Sequence, residues 1–127
     1  DMMSDGMVYF DFHKQVEKIV ERELIGLKLI SKSDLKDQKP GQEKFRKYFY
    51  HGTGHMLGLD VHDLGNMHGK MAVGSVWTVE PGIYIKEEGF GVRLENNVVI
   101  KKKGVDDLMK NIPIEAEEIE DLMSKNK

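Results

Sequence analysis

Two apolar, β-branched stretches separated by a short polar turn constrain this chain more than any other feature. Residues 76–85 read VWTVEPGIYI and residues 92–100 read VRLENNVVI, with KEEGF between them. Strand-forming residues on both sides of so short a polar segment predict an antiparallel hairpin. A turn around Glu87 and Glu88 sets its register and puts Glu80 opposite Glu95, within a residue or two. Pro81 and Gly82 interrupt the first strand. Proline has no N–H to give to a ladder, so an edge, a bulge or a kink is expected there. In the second strand Val92, Leu94 and Val98 share one face, and Arg93, Glu95 and Asn97 share the other. Two glutamates facing each other repel. An open, solvated sheet face relieves that repulsion, and so does a cation, a shared proton or Arg93. Spacing leaves these alternatives open.

The remaining segments supply helices and connections. Phe12, Val16, Ile19, Val20 and Leu24 recur at helical spacing, with Asp11 at the N-cap position and Gly26 at the C-cap. Lys14, Glu17, Lys18, Glu21 and Arg22 form the solvated face of that helix. Residues 31–42, SKSDLKDQKPGQ, are a polar connection, followed by a short helical or turn segment at 43–48. Residues 65–74 read as a loop, since Gly65-Asn66 tolerates positive φ. Residues 114–125 predict a second helix with Ala116, Ile119, Leu122 and Met123 on one face. Glu115, Glu117 and Glu118 lie in the first turn and Lys125 in the last, as the helix dipole favours. The pattern is α+β, and 127 residues are enough for one domain with a core of its own.

Charge and composition narrow the chemistry. A net charge of −3 with both signs interspersed gives no electrostatic case for nucleic acid. The chain has no cysteine, so a metal would have to sit on His and carboxylates. No apolar run reaches the roughly 18 residues that suggest a membrane span, and no signal-peptide pattern is present. A cytoplasmic location fits. The first residue is Asp1 rather than Met, and the chain is read as a fragment.

Residues 51–62, HGTGHMLGLDVH, hold three of the five histidines. His55 with two glutamates would suit Mn, Co, Fe or Zn. His62 lies an odd number of residues from His55, so in a regular strand the two would face opposite ways. Gly58 and Asp60 could re-aim one of them. His62 could then serve as a hydrogen-bond donor or proton shuttle rather than a ligand. All three could also be ordinary loop histidines, which is how His13 and His68 are read.

HGTGHMLGLDVHD, TVEPGIYI and GVRLENNVVI, in that order, resemble the C-terminal half of the catalytic domain of the aminopeptidase P (Xaa-Pro aminopeptidase) family. That family belongs to the methionine aminopeptidase–prolidase–creatinase group with the pita-bread fold. The likeness is dense over residues 49–100 and looser over 12–30 and over NIPIEAEEIEDLM. It implies a partial pita-bread fold, a curved antiparallel sheet packed with amphipathic helices. Residues 1–127 would be the C-terminal portion of such a catalytic domain.

The resemblance also assigns roles. His55, Glu80 and Glu95 match metal ligands, with Glu95 bridging two ions. His62 matches a non-ligand histidine that contacts substrate and helps stabilise the reacting carbonyl. Arg93 matches the arginine supporting the carboxylates, and His51 matches a histidine of the substrate pocket. The implied cofactor is a divalent metal, usually Mn2+, two per complete site, with Co2+, Fe2+ or Zn2+ as alternatives. The implied substrates are peptides with proline in second position, cleaved before that proline by a metal-held hydroxide.

Two further aspartate ligands belong upstream in the family. Asp1, Asp5 and Asp11 do not sit in the family's strand pattern and are not assigned that role. The chain alone is therefore expected to be inactive. It should need the N-terminal half of the domain as a partner, or cover its cut sheet by pairing two copies. Prolidase, which takes dipeptides only, and a non-catalytic pita-bread module that binds peptides or proteins are the alternative readings.

Overall fold

The computed structural model describes residues 2–36 and 38–125, so Asp1 lies outside it. Helix α1 spans Tyr9–Gly26 and buries Tyr9, Phe12, Val16, Val20 and Leu24. It starts two residues before Asp11, from an extended Val8 with no side-chain cap. Asp11 therefore lies in the first turn, where its charge favours the exposed N–H groups. The expected cap at Gly26 is also displaced. Gly26 is the last helical residue, and Lys28 takes the left-handed conformation with φ 60°. Lys28 N–H donates to Ile25 O and Leu29 N–H to Leu24 O, the paired bonds that close a helix in a Schellman turn.

Two positions on α1 differ from the periodic pattern. Ile19 is 36% exposed on the flank of the buried stripe. Glu17, expected on the solvated face, is half-buried, because Arg46 lies 2.9 Å from Oε1 and His13 Nε2 lies 3.4 Å away. Arg46 comes from one turn of 3₁₀ helix at Lys44–Lys47, the short helical segment expected there.

The hairpin forms in the predicted register but in two pieces. Strand β1 (Val76–Val79) pairs with β4 (Asn96–Ile100), and β2 (Gly82–Ile85) pairs with β3 (Phe90–Arg93). Val79 faces Asn96 on one side of the break, and Gly82 faces Arg93 on the other. Glu80 and Pro81 thus lie across from Leu94 and Glu95, where no ladder forms. Pro81 supplies no donor at that point. The turn is the short 3₁₀ segment Lys86–Glu88, closed by Gly89 at φ 71°.

Strand β5 (Val105–Asp107) pairs with β4 and was not foreseen. It follows a turn in which Gly104 takes φ 68°. The core gathers α1, Phe45, Tyr48 and Phe49 against Trp77, Val98 and Ile100. The Tyr9 and Trp77 rings stack 5.6 Å apart and join the helix to β1. Helix α2 (Ala116–Ser124) is shorter than the predicted 114–125, and none of its residues is buried. The architecture is α+β, with an antiparallel sheet, as the pattern predicts.

Candidate functional site

The segment at 53–57, from the glycine-rich stretch 52–58, lies along the free edge of β1. Glu80 N–H donates to Thr53 O (2.7 Å), Thr78 N–H to His55 O (2.9 Å) and Leu57 N–H to Val76 O (3.1 Å). Met56 and Trp77 form an antiparallel bridge in the same register. This segment is in effect an irregular edge strand. Gly54 permits the approach, because a Cβ there would lie 1.9 Å from the Thr78 carbonyl oxygen.

That pairing brings His55 onto Glu80. His55 Nε2 stands 3.2 Å from Glu80 Oε1. Its Nδ1 is hydrogen-bonded to the Met56 carbonyl at 2.9 Å. A carbonyl only accepts, so Nδ1 carries the hydrogen and Nε2 is left with a lone pair aimed at a carboxylate. Two such lone pairs repel unless a second proton or a cation comes between them. A histidine whose remote N–H is held by a backbone carbonyl is the usual arrangement of a metal ligand. The 3.2 Å separation also suits neighbouring ligands each about 2.0–2.2 Å from one ion. The pair could thus supply two of the donors that a divalent cation needs.

Beneath this pair lie two buried hydroxyls, Thr53 and Thr78. Thr53 Oγ1 is hydrogen-bonded to His13 Nδ1 at 2.7 Å. His13 stacks on Tyr9, and burial pushes its ring pKa down, with the Glu17 charge opposing the shift. Gly54 N–H donates to Tyr9 Oη at 3.3 Å. Burial raises the Tyr9 pKa. His13 therefore braces the glycine-rich segment. His68 sits against Phe10 at 4.8 Å.

The other expected residues are distributed unequally. The His62 ring stands 4.2 Å from that of His55, nearly perpendicular to it. The intervening loop turns it there: Asp63 N–H donates to Met56 O, and the Asp63 carboxylate accepts from Leu59 and Leu64 N–H. Gly58 leaves room for that carboxylate. Arg93 Nη1 approaches Glu80 Oε2 only to 3.6 Å, and Arg93 is half exposed. His51 turns instead towards β2. Its Nδ1 donates to Gly52 O, and its Nε2 accepts from Tyr84 Oη at 2.9 Å. Glu95 is exposed. Among the described residues no three His, Asp or Glu side chains converge as a metal site would require.

Sequence reasoning passed over Tyr84, Thr78, Thr53 and His13. Thr78 carried a signal, since it lies two residues from Glu80 and so on the same strand face. Thr53 and His13 carried none, because their partnership spans 40 positions.

The model of metallopeptidase family M24 matches residues 1–102. An Xaa-Pro aminopeptidase of Haemophilus influenzae is 42% identical over 96 residues, covering 65% of this chain and 22% of that protein. One of Escherichia coli is 37% identical over 122 residues, covering 86% of this chain and 27% of that protein. The solved structure of zinc-substituted E. coli aminopeptidase P in complex with product superposes with a TM-score of 0.81 at 31% identity. It covers 98% of this chain and 30% of that one. A provisionally assigned aminopeptidase P from Bacillus anthracis gives 0.83 at 34% identity, over 100% of this chain and 28% of that one. The chain thus spans between 22% and 30% of the length of these proteins. Its fold is part of the pita-bread fold.

Proposed function

The chain belongs to metallopeptidase family M24, and on that premise we propose that it is the C-terminal part of the catalytic domain of a proline-specific aminopeptidase. The reading rests above all on His55 Nε2 facing Glu80 Oε1 at 3.2 Å, with the opposite ring nitrogen tied to a backbone carbonyl. His55, Glu80 and Glu95 would hold divalent metal, Mn2+ first among the candidates. The bound ions would supply Lewis acidity at the scissile carbonyl. His62, beside His55, is placed to offer an N–H to the carbonyl oxygen. Arg93 restrains Glu80 from the hairpin side, and His51 with Tyr84 lines the approach for a peptide whose second residue is proline.

The chain alone is inactive in this reading. Glu95 is exposed and no three-ligand cluster forms among the described residues. The missing ligands would come from the family's upstream aspartates. Exposed Leu27, Val92 and Leu94 support a further partner, either the rest of the domain or a second copy. Cytoplasmic placement is part of the same proposal.

The test is a Mn2+ titration of the purified chain and of His55→Ala, followed by an assay on an Xaa-Pro peptide. Weak binding lost in His55→Ala, with no release of the N-terminal residue, is the expected result. Equal binding by both proteins would remove the metal reading. Release of that residue by the chain alone would overturn the inactivity.

A further inference from the structure

Thr78 touches both His55 and Glu80 through its hydroxyl. It is 2% exposed, on β1, two residues before Glu80. His55 N–H donates to Thr78 Oγ1 at 2.9 Å. A backbone N–H can do nothing but donate, so the hydroxyl acts there as acceptor and its single hydrogen must go elsewhere. Thr78 Oγ1 donates it to Glu80 Oε1 at 3.0 Å. Asn97, opposite Thr78 in the ladder, does not take that hydrogen, since its Oδ1 has no hydrogen-bond partner. The donor and acceptor roles of this hydroxyl are both committed.

We propose that Thr78 is a positioning residue whose hydroxyl clamps the His55 backbone and the Glu80 carboxylate in one orientation. The proposal rests on the metal reading of that pair. Oε1, the oxygen that receives the Thr78 hydrogen, is also the one 3.2 Å from His55 Nε2. Thr78 therefore settles which carboxylate oxygen meets the imidazole and leaves Oε2 to Arg93. Without the hydroxyl, Glu80 can rotate about its last torsion, and the His55 N–H is left buried without an acceptor. The β-branched methyl of Thr78 can be kept while the hydroxyl is removed, as Val, or the reverse, as Ser. This separates clamping from the bland role of a residue that suits a strand.

The experiment compares Thr78→Val and Thr78→Ser with the unaltered chain in two measurements. The first is amide hydrogen exchange at His55 in metal-free protein, with the β1–β4 amides as an internal control for folding. The second is Mn2+ affinity by titration. For Thr78→Val we expect at least about tenfold faster exchange at His55, unchanged protection of β1–β4, and about tenfold weaker Mn2+ binding. Thr78→Ser should stay within about threefold on both counts, because it retains the hydroxyl. A Thr78→Val protein that matches the unaltered chain, or a Thr78→Ser protein that fails like Val, overturns the clamp.

If Mn2+ affinity is indifferent to His55→Ala, the metal reading fails alone, and the exchange data decide the clamp. If Thr78→Val does not fold, the unaltered chain suffices. A slowly exchanging Thr78 hydroxyl proton with cross-relaxation to the His55 amide supports the clamp. A hydroxyl proton exchanging as fast as that of free threonine overturns it.

Discussion

The two sides of the candidate site are built differently. His55 and Glu80 stand on a packed floor of Thr53, Thr78, Tyr9 and Trp77, and each backbone is tied to its neighbour across β1. Arg93 ends β3, every residue of which is exposed, and Glu95 lies exposed in the unpaired gap between β3 and β4. Val92 and Leu94 are apolar and 59% and 56% exposed. One half of the site is preorganised by burial and hydrogen bonds. The other half is exposed, and it is tied to the first by Arg93 Nη1 at 3.6 Å from Glu80 Oε2. A shared strand register is thus sufficient to place side chains near each other and insufficient to fix them.

The contrast can be broken most forcefully at Trp77. Trp77→Ala should cost about 3–5 kcal/mol in denaturant unfolding, since it empties the contact between α1 and β1. Next comes Gly54→Ala. The added Cβ would meet the Thr78 carbonyl oxygen, a backbone atom that cannot rotate away. About 3 kcal/mol of stability should be lost, and with it the protection of the Glu80 and Thr78 amides in hydrogen exchange.

Acid tests the floor differently. Burial holds the His13 pKa below its ordinary value of 6.5. As the pH falls below 6.5 the unfolded chain takes up this proton before the folded one does, so stability declines until the folded pKa is passed. His13→Gln should flatten that part of the stability–pH curve, and a curve unchanged by the substitution would contradict the assigned role. The smallest effect belongs to the exposed arm at 90–95: Leu94→Ala should change stability by no more than about 0.5 kcal/mol. A larger loss would mean that the arm is packed in solution and that the two sides are more alike than described.

The parts legible in the sequence were those fixed by local periodicity. The stripe Phe12, Val16, Val20 and Leu24 is buried as its spacing predicts. The hairpin register follows from its turn, and Val79 and Gly82 find the predicted partners. The segment at 53–57 was not legible as a strand, because Gly54 within it and Gly52 and Gly58 beside it erase any alternation of apolar and polar residues. Strand β5 is only three residues long, two of them aspartates, which strand propensity disfavours. The burial of Glu17 depends on Arg46, far along the chain, and no window centred on α1 contains it. Glu95 shows the opposite case: its position in the register was readable, but whether anything covers it was not.

The missing ladder rung at Pro81 has one further consequence. Fraying that began at the hairpin tip, around Gly89, would travel inward one rung at a time. At Gly82 it would meet a gap, and beyond Pro81 the Glu80 N–H is fastened from the opposite edge, to Thr53. The break would therefore act as a firebreak, confining such melting to the tip and leaving the His55–Glu80 pair undisturbed.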